Sequence, residues 1–351
     1  MEAFVVIRCV PLKPKPVSFL SVLVLAIVGL SLISVPVAAS PIGTWMPTTN
    51  YPTPSDSQSC VVSGGYVYCV GGYIALGAVY FAKLSSSGVG AWKKTTSYPT
   101  PITVQSCVAS GGYIYCVAGI NNIGTTDFVY FAPLSSAGVG TWKSTKSYPT
   151  KIGLQSCVVS GGYVYCVGGL TATTSSSATN AVYFASLHSS GVSTWTKTTN
   201  YPTTISSQSC AVSGGYVYCV GGDSTTGFTS AVYFAKLSSS GVSVWESTTR
   251  YLTTVGALSC VVGAQYTTPQ LFCVGGHSTT GFTSAVYFAS LSSSGVGTWR
   301  TYTSYPTTIS SQSCVFAKVP GTVPLGYMYC VAGYTMGADI SAVYFSLVTV
   351  T

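Results

Sequence analysis

The sequence predicts an all-β protein whose main part is a six-bladed β-propeller of four-stranded antiparallel blades, with the N-terminal strand closing the last blade. Three observations carry this expectation. Tryptophan recurs at 45, 92, 142, 195, 245 and 299, at intervals of 47 to 54 residues, close to the length of a propeller blade. Short runs of Val, Tyr, Phe and Ile, parted by glycine pairs, mark each interval as a set of hairpins. Two cysteines recur in each interval as well.

The first unit shows how one blade is built. Strand a is expected over 58–63 and strand b over 66–70, joined by Gly64-Gly65. Two glycines between β-rich runs suit a two-residue hairpin, because both central positions need positive φ. Strand c follows over 78–84, and strand d starts at Trp92. Both faces of these strands are apolar, as expected when each blade packs against two neighbours. The Trp45 segment has no strands of its own unit before it, and the last unit has no Trp strand after it. Trp45 should therefore complete the last blade beside 342–347, leaving no free edge.

Thirteen cysteines are present. Cys9 lies near the N-terminus. The others form six pairs, one per unit: Cys60 with Cys69, Cys107 with Cys116, Cys157 with Cys166, Cys210 with Cys219, Cys260 with Cys273 and Cys314 with Cys330. A turn at 64–65 sets residues 60 and 69 opposite each other, at the ~4.5–5.5 Å Cα separation of paired strands, within reach of a disulfide. Metal binding fits poorly, since the spacing is not CxxC and no His accompanies the pairs. Disulfides imply an oxidising compartment.

The N-terminus agrees. An apolar run over 17–35 follows Arg8, Lys13 and Lys15 and precedes Val37-Ala38-Ala39-Ser40, the order of a secretory signal. Its length also suits an uncleaved membrane anchor. The chain thus divides into a leader or anchor at 1–39 and a propeller at 40–351. The expected location is secreted or attached to the outer surface, with membrane contact only through the N-terminal segment.

Hydrophobic residues make up 47% and charged residues 6% of the chain, against a usual ~25% charged. Ser, Thr, Tyr and Gly take the surface positions instead. The scarcity of Asp and Glu is what an acidic habitat would favour. No basic run could track a phosphate backbone, so no nucleic-acid partner is expected.

Val-Tyr-Cys-Val-Gly-Gly at 67–72, with Tyr80 and Trp92 downstream, resembles the kelch repeat. The stretch 80–92 resembles kelch-type arrays of secreted prokaryotic proteins. Ala118 and Ala332 replace the first glycine of the doublet, and the Tyr-to-Trp interval is longer than in typical kelch. The resemblance implies a propeller, and some kelch-like propellers are copper oxidases similar to galactose oxidase. Such a centre needs two His, two Tyr and a Tyr–Cys crosslink. Here only His188 and His277 exist, in connections at opposite ends of the blades, so no metal or other cofactor is expected.

The b–c and d–a connections share one end of the propeller, called the top. There the candidate ligand-binding residues are Tyr73, Asp127, Asp223, Phe228, His277, Phe282, Tyr334 and Asp339. Aromatic faces beside hydroxyls and carboxylates suit sugars. Lys83, Lys93, Lys94, Lys143, Lys197, Lys236, Arg300 and Lys318 lie towards the other end. The repeated loops of blades four and five fit a multivalent or scaffolding surface better than a single active site; the long hairpins 263–270 and 317–326 are unique features. The leading expectation is a non-enzymatic extracellular propeller, binding a glycan or a protein or forming part of a surface layer. The alternative is a secreted carbohydrate-active enzyme using top-face carboxylates, among them Asp56. No catalytic residue is singled out.

Overall fold

Backbone pairing sorts the chain into six successive antiparallel blades. The structure, a computed structural model, describes residues 43–263, 268–319 and 326–348. The leader at 1–39 and the tips of the two long hairpins lie outside the described residues. Among the described residues, no helix is long and apolar enough to cross a membrane.

Each blade begins with an inner strand: Ser59–Ser63, Ser106–Ser110, Ser156–Ser160, Ser209–Ser213, Ser259–Gly263 and Ser313–Lys318. In the first blade Tyr66–Val70 and Val79–Ser85 follow, and Lys93–Lys94 pairs on the outer side of Val79–Ser85. Gly64 and Gly65 have φ of 56° and 79°, as the hairpin requires. The outer strands correct the sequence reading. They are only two residues long and start after the tryptophan rather than at it. The tryptophan is spent on the neighbouring blade instead: Trp92 Nε1 donates to the Thr49 carbonyl at 3.1 Å, and its ring meets Tyr51 edge-on at 5.0 Å. A short Gly88–Val89 strand pairs with the end of Val79–Ser85, which sequence reasoning did not foresee.

The last blade closes as expected. Met46 pairs with Phe345 and Pro47 with Tyr344, while Trp45 meets Tyr305 at 4.9 Å and donates to the Thr303 carbonyl. Apolar packing has no single centre. Six clusters lie between adjacent blades, the one across the closure joining Val315, Tyr329 and Phe345 to Cys60, Val67 and Leu84.

All six cysteine pairs expected from the spacing are disulfides, and each lies inside one blade, between the inner and second strands. Cys60 is bonded to Cys69, Cys107 to Cys116, Cys157 to Cys166, Cys210 to Cys219, Cys260 to Cys273 and Cys314 to Cys330, with Cα separations of 4.0 to 4.1 Å. The separation is shorter than the ~4.5–5.5 Å of ordinary opposed residues, which corrects the expected spacing but not the pairing. Cys69, Cys116, Cys166, Cys219, Cys273 and Cys330, on the second strands, are fully buried. Direct registry accounts for all six bonds, since Cys60 faces Cys69 and Cys314 faces Cys330 across their hairpins despite the different hairpin lengths. These are narrow cross-strand pairs, whose amides point away from the partner strand. The freed amide is used between blades. Cys107 N–H donates to Ser59 Oγ, Cys157 to Ser106, Cys210 to Ser156, Cys260 to Ser209, Cys314 to Ser259 and Cys60 to Ser313, all at 2.9 to 3.0 Å. Disulfide, hairpin register and ring closure are therefore consequences of one repeated pattern, Ser-Cys.

Candidate functional site

The d–a connections meet at the axis on the top face. Each contributes one residue with left-handed backbone: Ser57, Val104, Leu154, Ser207, Ala257 and Ser311, with φ between 51° and 59°. Such backbone costs roughly 1 kcal/mol or more outside glycine. Here it is held by a closed circle of hydrogen bonds. Each amide donates to the carbonyl of its counterpart in the preceding blade, from Val104 to Ser57 around to Ser57 to Ser311, at 2.9 to 3.1 Å. Just beneath, buried Gln58, Gln105, Gln155, Gln208 and Gln312 donate Nε2 to a second-strand carbonyl of the preceding blade at 2.6 to 2.7 Å. Leu258 takes this place in blade five. An axial cavity of about 150 Å³ is lined by these residues.

Around this collar runs a second ring of positions, the residue after each Gly-Gly or Ala-Gly doublet. Its backbone role is constant: Asp223 N–H donates to the Ser206 carbonyl, His277 to Gly256, Tyr334 to Ser310, and Tyr73 to Asp56. Its side chain varies from blade to blade, being Tyr73, Ile120, Leu170, Asp223, His277 and Tyr334. A constant backbone frame carrying varied side chains is how a repeat fold presents a site. Aligning the six units on the doublet would have found it in the sequence.

Three of these residues sit opposite partners in short hairpins: Asp223 with Phe228, His277 with Phe282, and Tyr334 with Asp339. Neighbouring hairpins then meet through their rings. Phe228 meets His277 at 5.0 Å, His277 meets Phe282 at 4.7 Å, and Phe282 meets Tyr334 at 5.5 Å between ring centroids. Six of the eight candidate residues thus form one arc across blades four, five and six. All six are half-buried, so the rings are packed against one another and still open to a ligand.

Carboxyl groups end the arc on both sides. At one end Asp223 lies near His277; burial raises its carboxyl above the ordinary value, against the pull of the imidazole. At the other end Asp339 meets Asp56 from the first blade. Burial lifts the Asp56 carboxyl to about 6; a hydrogen bond with Ser57 opposes this, and the charge and hydrogen bond of Asp339 add to it. One oxygen of Asp339 is buried without a hydrogen-bond partner. Among the described residues, no three His, Cys, Asp or Glu side chains gather as a metal site.

Two candidates stand apart. Tyr73 is 67% exposed and takes no part in the ring contacts of the arc, because blade one turns over 73–77 instead of forming the short hairpin. Asp127 lies in Gly124–Ser135, where its carbonyl accepts the Tyr148 amide; the equivalent residues Asn180, Ser230, Ser284 and Ser341 do the same outside the arc. His188 pairs with Gly191 beside the c–d hairpin and bonds Ser186 at 2.9 Å, at the end of the blade away from His277.

No family model matches this chain, and no curated protein matches it. Among solved structures, the chain is similar to the one titled "Structure of YjhT", with a TM-score of 0.68 at 15% identity, over 86% of this chain and 97% of that chain. This likeness concerns the fold alone.

Proposed function

We propose that the protein is an extracellular, kelch-type propeller that binds a neutral glycan on its top face and does not transform it. The observation that carries this reading is the unbroken row Phe228, His277, Phe282 and Tyr334. Sugar rings offer apolar C–H faces and hydroxyl edges. An aromatic row flanked by Asp223, Asp339 and Asp56 supplies stacking and acceptors for both. Six disulfides support an oxidising compartment outside the cell.

The enzymatic alternative is less well supported. Glycoside hydrolysis needs two carboxyls separated by roughly 5–9.5 Å to admit the sugar bond or a water. Asp56 and Asp339 instead lie near enough for Asp339 to raise the hold of Asp56 on its proton. A glycan array probed with residues 40–351 tests the reading. Binding to neutral glycans, weakened at least about tenfold by Tyr334→Ala, is expected. Failure to bind any glycan would overturn it in favour of a protein partner or a surface-layer role, and turnover of a bound glycan would restore the enzyme.

A further inference from the structure

Beside the aromatic row lie two clefts built around six matching positions, one blade apart. The blade-four cleft, about 370 Å³, is lined by Thr203, Thr204, Ser224, Thr225, Thr226 and Phe228 among others. The blade-five cleft, about 410 Å³, is lined by Thr253, Thr254, Ser278, Thr279, Thr280 and Phe282. Position by position these are the same residue types, and Thr254 lines both clefts.

Their hydroxyls are arranged alike too. Ser224 Oγ lies 3.0 Å from Thr226 Oγ1 and donates to the Gly227 carbonyl at 2.9 Å. Ser278 Oγ lies 3.0 Å from Thr280 Oγ1 and donates to the Gly281 carbonyl at 3.0 Å. Each cleft therefore offers a phenylalanine wall, joined in the blade-four cleft by Tyr233, and a fixed set of groups that both donate and accept hydrogen bonds. The blade-five cleft has no charged side chain in its lining. In the blade-four cleft the one charged group, Arg250, donates Nε to Ser230 Oγ at 3.2 Å. Both volumes are at the small end for ligand sites, which run from ~300 Å³ upward.

We infer that these clefts are two equivalent saccharide subsites, each taking one end or branch of a neutral glycan in which the same sugar recurs. The inference rests on the glycan reading above and adds its valence and the class of ligand. Valence is two because only blades four and five carry phenylalanine at this position. Blade two has Thr125, blade three Ala178 and blade six Asp339. The blade-five lining, free of charged side chains, favours neutral over acidic sugars. Two like subsites on one rigid face bind a long repetitive glycan far more tightly than a short one, because the second contact is intramolecular.

The test uses the chain from residue 40 with maltose, cellobiose and mannobiose as short probes and the corresponding hexaoses as long ones. Calorimetry should give two equal sites for the disaccharide that binds. Phe228→Ala and Phe282→Ala should each leave one site of unchanged affinity, and the double variant none. For the matching hexaose, each single variant should lose at least about tenfold in apparent affinity. Both phenylalanines are part-exposed loop residues, and an unchanged melting temperature verifies that each variant is folded. A single site in the wild type, or a single substitution that abolishes binding, would overturn the two-subsite inference while leaving the glycan reading intact. No binding of any probe or of any array glycan would overturn both.

Discussion

Cys60 donates its backbone amide to Ser313 Oγ at 3.0 Å, so the first inner strand is joined to the last by the same bond that joins every other neighbouring pair. Closure is then one more blade junction and not a special seam. Ser313→Ala should cost about 1 kcal/mol, the usual value of one such bond. Ser106→Ala, in an internal junction, should cost the same within a few tenths. Urea unfolding of both variants measures this; a clearly larger loss for Ser313→Ala would mean that the ring is weakest where it closes.

The disulfides are short-range staples. Replacing Cys157 and Cys166 together by alanine should cost on the order of 2–3 kcal/mol in the chain-entropy model, without changing the fold. Thiol titration of the chain from residue 40 should detect no free thiol until reductant is added. A reactive thiol in the native protein would contradict the pairing.

The Asp56 carboxyl holds its proton more firmly in the folded protein, at about 6, than at its ordinary value of 3.8. Folding is therefore favoured by this group at low pH, and the contribution is lost as pH rises from about 4 through about 6. Allowing for the partial exposure of Asp56, the loss is on the order of 1 kcal/mol, a fall of roughly 1–2 °C in melting temperature. Asp56→Asn should flatten the profile between pH 4 and 7. An unchanged slope in that variant would place the proton elsewhere.

Six buried tyrosines, Tyr51, Tyr98, Tyr148, Tyr201, Tyr251 and Tyr305, carry hydroxyls with no hydrogen-bond partner in the protein. Burial pushes each phenol far above its ordinary range, with the neighbouring tyrosine adding to the shift. Tyr148→Phe keeps the ring against Trp195 at 4.9 Å and removes the unpaired group. It should leave stability unchanged or raise it by up to about 1 kcal/mol. A loss of comparable size would show that the hydroxyl is bonded after all.

Blade count, cysteine pairing and closure were legible in the sequence because each is local to a repeat or follows from counting repeats. The pairing of Cys260 with Cys273 and of Cys314 with Cys330 was legible even through longer hairpins, because the strand sequences on either side keep their register. The outer strands were legible in number and place but begin one residue later than expected, because the tryptophan that marks them faces the adjacent blade, a contact some forty residues away in the chain. The arc was legible only as separate residues. Phe228, His277, Phe282 and Tyr334 were each visible as loop aromatics, but their contact depends on how far one hairpin leans over the next. The meeting of Asp56 with Asp339 spans nearly the whole chain and exists only once the ring is closed. Tyr73 stands outside the arc for a local reason: its loop lacks the Gly-Phe step that folds the loops of blades four and five back on themselves.

Gly43 N–H donates to the Leu347 carbonyl, beside the inner hairpin end of the last blade and remote from Tyr334 and Asp339 on the same two strands. The first and last described residues, Gly43 and Val348, thus leave the propeller at the far end of the last blade from Tyr334 and Asp339. A label joined directly at either of these two positions starts its path away from the aromatic arc.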